Sequence, residues 1–115
     1  MTNYAHGHAA EKHAAEYLRR RGYKVLALNW RRPSAEIDIV AQRRHGPVTF
    51  VEVKYRERTH QGGGLDYITA RKLERMRYAA ELWTVENRYD GECMLAALEM
   101  SGPDFTVTDF IVDVI

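Results

Sequence analysis

Two short segments of the chain alternate acidic and apolar residues in a pattern that could support catalysis. Residues 36–41 read Glu-Ile-Asp-Ile-Val-Ala, and residues 50–54 read Phe-Val-Glu-Val-Lys. Side chains of a strand alternate between its two faces. The two acids of the first segment are therefore expected on one face, and the apolar residues on the other: Ile37, Ile39 and Ala41.

The register of the predicted hairpin decides whether acids from the two segments meet. If the loop is residues 43–47, Gln42 pairs with Val48. Asp38 then lies directly opposite Glu52 on the same face, with Cβ atoms about 4.5–5.5 Å apart. A shift of one residue would place the two acids on different faces. Like charges directly opposite each other destabilise a sheet, so a compensating positive charge is expected.

Two interpretations of this acidic pair stay open from spacing alone. In the first, Lys54 or a divalent cation supplies the positive charge; Mg²⁺ takes one or two carboxylates, keeps several waters and contacts substrate phosphates. A bound cation lowers the pKa of its water and neutralises charge on phosphate oxygens, which is the chemistry of phosphodiester hydrolysis. In the second, Glu36 and Lys54 form an ordinary surface ion pair.

A third acid lies in an apolar helical stripe. Gly7, Ala10, Ala14 and Leu18 recur at helical spacing and predict the face that contacts the sheet. Glu11 belongs to this stripe, and a carboxylate turned towards a core is costly unless it is paired or bound to a metal. Glu11 therefore either joins the acidic pair or lies at the edge of the stripe and reaches water.

The elements that would position these residues follow the order α-β-β-β-α-β-β. Hydrophobic spacing predicts helices over residues 5–21 and 68–85. Alternation and short apolar runs predict strands over residues 25–31, 36–42, 48–55, 93–100 and 105–115. This order predicts an α/β fold with a mixed β-sheet flanked by helices, in a single domain over residues 1–115.

Composition excludes several classes of protein. Apolar residues make up 45% of the chain and charged residues 29%, values typical of globular proteins. No apolar run reaches the roughly 20 residues of a membrane helix, and the first residues lack the pattern of a signal peptide. The single cysteine, Cys93, excludes an internal disulfide. We therefore expect a cytoplasmic protein that does not contact a membrane.

Charge is distributed unevenly along the chain. Residues 1–78 contain 16 Lys and Arg against 8 acids, whereas residues 79–115 contain one Arg against 8 acids. A basic body is typical of a protein with a polyanionic partner, although a charge match within the chain or across a homodimer explains the same asymmetry. The candidate nucleic-acid contacts flank the strand ends or lie on the second helix: Arg31, Arg32, Arg56, Arg58, Arg71 and Lys72.

The two acidic segments, with the residues around them, resemble a known nuclease motif. Glu-Ile-Asp at 36–38 followed by Phe-Val-Glu-Val-Lys at 50–54 resembles the PD-(D/E)XK nuclease superfamily, which includes restriction endonucleases and archaeal Holliday junction resolvases. The resemblance is closer to the YraN family, small bacterial proteins that are predicted endonucleases of this superfamily. It runs from Gly7 to about Trp83 and reaches Lys72 on the second predicted helix.

The resemblance implies a restriction-endonuclease-like core and a site for Mg²⁺ or Mn²⁺. The implied metal ligands are the carboxylates of Asp38 and Glu52 and the carbonyl oxygen of Val53. Lys54 is implied as the catalytic lysine, and Glu11 as an accessory catalytic acid.

Two positions depart from the family pattern. Ala35 stands where the family usually has glycine, and Tyr55 stands where it usually has threonine. By alternation Tyr55 points away from Lys54, so we expect this change to affect packing rather than chemistry.

Three functions follow as hypotheses. The first is a metal-dependent endonuclease-like protein that hydrolyses phosphodiester bonds in DNA, with branched or single-stranded DNA as the substrate. The second is a nucleic-acid-binding module of the same fold without turnover, since a fold does not establish an activity. The third is a dimeric assembly protein whose acidic C-terminal quarter contacts a basic surface on another subunit.

Overall fold

The helices and strands lie in the predicted order. The computed structural model describes residues 3–57 and 68–113, with side chains from residue 7 onwards; Arg58 lies outside the described residues. The elements are α1 (Asn3–Arg20), β1 (Tyr23–Arg32), β2 (Ala35–Arg43), β3 (Val48–Arg56), α2 (Ala70–Glu86), β4 (Cys93–Ser101) and β5 (Thr106–Val112). Within the described part of the chain, neither helix is long and apolar enough to span a membrane.

The strands form one five-stranded mixed sheet in the order β1-β2-β3-β4-β5. Neighbouring strands are antiparallel except β3 and β4, which are parallel and are connected through α2. The predicted α/β class with a helix-flanked mixed sheet is confirmed. The predicted hairpin register is confirmed as well, because Gln42 pairs with Val48 and the ladder continues to the pair Ile39–Val51.

Each face of the sheet is covered by one helix and has its own apolar cluster. Ala10, Ala14 and Leu18 of α1 are buried against one face, as the helical stripe predicts. On the other face, Met76 and Trp83 of α2 belong to a second cluster. The sheet therefore separates two apolar layers. The face on which a strand side chain lies decides whether it packs against α1 or against α2.

One predicted facing in β2 is wrong. Ile39 packs with the α1 cluster, but Ile37 packs with the α2 cluster, although the alternation places both on the same face. On the neighbouring strand, Asn29 of β1 has a φ of 50°, in the left-handed region that asparagine tolerates. The pairs on either side place Asn29 across from Asp38. Alternation is thus interrupted at Asp38, where the chemistry was predicted.

The buried α1 stripe should contribute much of the stability of its layer. Leu18 is fully buried, so Leu18→Ala should lower the free energy of unfolding by about 2–5 kcal/mol through lost burial and the cavity left behind. Urea denaturation measures this change. Lys12→Ala, at an exposed position of the same helix, is the control and should stay within about 0.5 kcal/mol of the wild type. Equal effects of the two substitutions would contradict the assigned layer.

Candidate acidic centre and basic cleft

The carboxyl group of Asp38 lies where β2 and β3 stop pairing. The ladder ends at Ile39–Val51, and beyond it Asp38 Oδ2 accepts a hydrogen bond of 2.8 Å from the backbone N–H of Val53. A strand amide that would otherwise lack a β2 partner is thereby satisfied by a side chain. The bond holds the Asp38 carboxyl group beside Val53, the residue directly after Glu52.

Two other carboxyl groups act on Asp38. The pKa of Asp38 is raised to about 8, chiefly by burial and next by the nearby charge of Glu52. The Val53 hydrogen bond lowers this pKa, whereas Glu11 raises it through its charge and a hydrogen bond. The three acids that the sequence analysis singled out are therefore brought together, from α1, β2 and β3.

Glu11 contributes a buried oxygen to this group of acids. Its Oε1 atom is buried and has no hydrogen-bond partner among the described residues. Glu11 therefore does not simply reach water from the edge of the helical stripe, which was one of its two predicted placements. A buried carboxylate oxygen without a partner is costly and suits a position beside a proton or a cation.

A small cavity lies between the acids of the two strands. Its volume is about 10 Å³, close to the space that one water molecule needs. The lining residues come from β2, β3 and α2: Glu36, Ile37, Asp38, Phe50, Val51, Glu52 and Met76. Asp38 and Glu52 thus both line a space of about the size of one water molecule.

Glu52 also lines a much larger cleft of about 840 Å³. Four of the six predicted nucleic-acid contacts line it: Arg31, Arg32, Arg71 and Lys72. Arg75, another cation of α2, lines it as well. Glu36, Glu52 and Met76 line both the cleft and the small cavity, so the two spaces adjoin, and of these three only Glu52 belongs to the group of acids around Asp38.

Lys72 binds Glu52 directly. Its Nζ atom lies 2.8 Å from Oε2 of Glu52, and the two side chains are 34% and 23% exposed. Lys72 was predicted to contact phosphate, and its pairing with Glu52 was not predicted. The family resemblance reaches Lys72, but no local signal links residues 20 positions apart.

Lys54 and Glu36 do not form the surface ion pair that was the alternative interpretation. Glu36 instead lies 3.9 Å from Arg31 of the paired strand β1. Lys54 is half-buried, lines neither cavity, and makes no ion pair or side-chain hydrogen bond with any residue that the structure describes. Its predicted catalytic role stays a prediction.

Arg32 is already engaged at the rim of the cleft. Its guanidinium donates two hydrogen bonds to the carboxylate of Glu86 and stacks on Trp30, 4.4 Å from the ring centroid. Arg71 and Arg75, by contrast, are exposed on α2. A phosphate entering the cleft would therefore compete with Glu86 for Arg32 but would find the guanidinium already held in place.

Arg56 has an internal partner instead of an open surface. Its Nε donates to Oε2 of Glu99 at 2.8 Å, and the two side chains are 15% and 7% exposed. Glu99 also accepts a hydrogen bond from Thr108. The signal that could have identified this pair was a lone acid in the otherwise apolar segment 93–100. Nucleic-acid contact by Arg56 stays a prediction.

Tyr55 changes packing, as its alternation predicted. It belongs to the apolar residues on the α1 side, stacks near Phe105 with centroids 5.0 Å apart, and donates its hydroxyl to the carbonyl of Gly102. The substitution of tyrosine for threonine therefore fastens the end of β3 to the turn between β4 and β5.

The acidic centre suits a hard divalent cation by its donor types. Asp38 and Glu52 supply carboxylate oxygens beside a water-sized cavity, and Glu11 supplies a buried unpartnered oxygen. Within residues 3–57 and 68–113, no three or more His, Cys, Asp or Glu side chains are arranged as a ready-made metal site. Mg²⁺ does not require one, because it commonly binds one or two carboxylates and keeps several waters.

Comparison with known proteins identifies relatives over most of the chain. The model of the "Uncharacterised protein family UPF0102" matches residues 10–102. A UPF0102 protein of Shewanella loihica is 35% identical over 107 residues, which cover 90% of this chain and 93% of the relative. A UPF0102 protein of Deinococcus radiodurans is 40% identical over 98 residues, or 84% and 80% of the two chains. These names state no activity.

The raised pKa of Asp38 predicts how stability depends on pH. The folded protein keeps a proton on Asp38 up to about pH 8, whereas the unfolded chain releases it near pH 4. Stability should therefore fall as pH rises between about 5 and 8, by up to about 1.4 kcal/mol per pH unit from this group. Asp38→Asn, which can still accept from Val53, should remove this contribution. Denaturant titrations at several pH values measure it.

The control for this experiment is Asp90→Asn, at an exposed position. It should keep the wild-type pH dependence, because it leaves the buried acids unchanged. If Asp38→Asn kept the wild-type dependence of stability on pH, the raised pKa would belong to another group.

The buried pair of Arg56 and Glu99 predicts a second stability effect. Arg56→Met removes the positive charge beside a buried carboxylate and should destabilise the protein by about 3–5 kcal/mol. Adding Glu99→Leu should recover most of that loss, since no buried charge then remains at the pair. Urea denaturation of the single and double variants measures both steps, with Arg77→Met as an exposed control. A single variant as stable as the control would contradict a structural role for Arg56.

Proposed function

The chain belongs to the uncharacterised protein family UPF0102, and from the geometry of its acidic centre we propose that it is a metal-dependent endonuclease-like protein that hydrolyses phosphodiester bonds in DNA. The observation that supports the proposal is the position of Glu52, which lines the basic cleft and, with Asp38, also lines a water-sized cavity. Branched or single-stranded DNA is the proposed substrate. The resemblance to the PD-(D/E)XK superfamily supports the same activity.

The acids of the centre provide the ligands for the proposed cofactor. Mg²⁺ or Mn²⁺ held by Asp38, Glu52 and the carbonyl of Val53 would activate a water and neutralise charge on phosphate oxygens. The Val53 amide orients the Asp38 carboxylate through its hydrogen bond. Glu11 adds a carboxylate from the α1 side, and its buried Oε1, which has no partner among the described residues, would be available to a water in the centre.

Lys54 is assigned to the reacting phosphate. It follows Glu52 by two residues on β3, so the two side chains share a face of the strand. An ammonium group on that face can stabilise the negative charge that develops on the phosphate during attack.

The basic cleft supplies the proposed DNA contacts. Arg31, Arg71 and Arg75 present exposed guanidinium groups, which bind phosphate through paired donors. The N-terminus of α2 also faces this region, since its first turn contributes Arg71 and Lys72. Two cations in the first turn oppose the helix dipole, and a bound phosphate would turn this unfavourable arrangement into a favourable one.

A nucleic-acid-binding module without turnover is the second candidate. It is favoured by the position of Lys54, which lines neither the cleft nor the small cavity. A protein of this kind would bind DNA through the cleft with strong salt dependence, and added Mg²⁺ would yield no product.

The nuclease proposal is tested with purified protein on branched, single-stranded and linear duplex DNA. In Mg²⁺ or Mn²⁺ the wild type should cut at least one of these substrates, and a chelator should stop the reaction. Asp38→Asn should lower the rate by at least about 100-fold, because loss of a ligand should cost no less than loss of a supporting residue. Denaturing gel electrophoresis measures the products.

Asp90→Asn is the matched control and should cut at the wild-type rate, since Asp90 is exposed and lines neither cavity. Cleavage that survives in Asp38→Asn would point to a contaminating nuclease and contradict the proposal. If the wild type binds DNA at low salt but never cuts it with either metal, the binding module is the correct function.

A further inference from the structure

The ion pair between Lys72 and Glu52 connects the basic cleft to the acidic centre. Lys72 lines the cleft only, whereas Glu52 lines both the cleft and the small cavity that it shares with Asp38. Their charged atoms lie 2.8 Å apart, with both side chains partly exposed to the cleft. A ligand that enters the cleft thus meets Lys72, the cation that holds the Glu52 carboxylate of the acidic centre.

Ligands of the acidic centre and of the basic cleft would both break the Lys72–Glu52 pair, because a cation would bind Glu52 and a phosphate would bind Lys72. Lys72 offsets part of the repulsion between Glu52 and Asp38 while the centre holds no other positive charge. A divalent cation bound to Glu52 would lie close to the Lys72 ammonium, and like charges at such distances repel. A phosphate in the cleft is a strong alternative partner for Lys72, whose flexible stem carries three rotatable donors.

We propose that Lys72 is a positioning residue that couples DNA binding to cation binding. Without DNA, it holds Oε2 of Glu52; when a phosphate occupies the cleft, its ammonium moves to the phosphate and leaves that oxygen to the cation. This inference rests on the proposed function and adds regulation to it, because the cation site is completed only when substrate is present. Linkage requires the reverse effect too, so that the cation tightens DNA binding by the same factor.

A purely structural role for Lys72 makes a different prediction. If the pair only fastened the first turn of α2 to β3, its loss would lower stability and would leave any coupling between DNA and cation unchanged. A change in the coupling factor therefore distinguishes the positioning role of Lys72 from a structural role. A loss of stability would be expected from both roles.

The experiment measures Mn²⁺ affinity with and without a saturating short single-stranded phosphorothioate oligonucleotide, which resists hydrolysis. Free Mn²⁺ is followed by electron paramagnetic resonance, with the oligonucleotide alone as a blank. In the wild type the oligonucleotide should tighten Mn²⁺ binding by about 5- to 150-fold, the usual range of coupling between two sites. In Lys72→Gln, Mn²⁺ should bind more tightly without oligonucleotide, and the factor should fall towards one.

Arg75→Gln is the matched control, because it removes another cation from α2 in the same cleft but not the one that holds Glu52. It should weaken oligonucleotide binding and keep the wild-type coupling factor once saturation is reached. Lys72→Met, which retains most of the stem, repeats the test, and thermal unfolding verifies that each variant is folded.

The outcomes distinguish this inference from the proposed function. A wild type that binds no Mn²⁺ in either condition would overturn both. Mn²⁺ binding with the same coupling factor in the wild type and both Lys72 variants would overturn the inference alone, because the oligonucleotide would then act on the cation without Lys72. Loss of coupling in Arg75→Gln as well as in the Lys72 variants would also overturn it.

Discussion

The repulsion between Asp38 and Glu52 is the constraint to which the rest of the site responds. Both carboxyl groups come from neighbouring strands and lie at the edge of the core, where solvent screens their charges poorly. Three features of the chain offset this repulsion: the Val53 amide donates to Asp38, Lys72 binds Glu52, and the raised pKa keeps a proton on Asp38 near neutral pH. An arrangement that needs so much compensation is expected at a functional site more than in a structural core.

The two layers of the fold bring their parts to this point from opposite faces of the sheet. Helix α1 contributes Glu11, and helix α2 contributes Lys72. A side chain of a regular strand meets only one of these layers. The interruption of alternation at Asp38, across from the left-handed Asn29, allows the carboxyl group to interact with acids from both sides.

The arginines of the chain fall into groups with different physical roles, although composition treats them alike. Arg56 is largely buried with Glu99, so its charge stabilises the end of the sheet. Arg32 is stacked on Trp30 and paired with Glu86 at the cleft rim. Arg71 and Arg75 are exposed on α2 and line the cleft, where an external anion can reach them. The basic character of residues 1–78 therefore overstates the charge available to a polyanion.

Local patterns in the sequence determined most of the architecture. Helical spacing identified the buried stripe Ala10, Ala14 and Leu18, and the loop length with alternation set the register in which Gln42 pairs with Val48. These predictions succeed because each depends on residues that are close in the chain, where backbone geometry fixes the side-chain direction. The meeting of Asp38 with Glu52 follows from the same register.

Only the tertiary structure decided the partners of the charged groups. Glu52 pairs with Lys72, 20 residues away, and Arg56 pairs with Glu99, 43 residues away, while Lys54 lies apart from both cavities. The facing of Ile37 was also settled only by the structure, beside a strand position, Asn29, whose φ is positive. Ion pairs between elements depend on how the helices pack on the sheet and on how far water is excluded from the charged groups. Neither can be predicted from the spacing of residues along the chain.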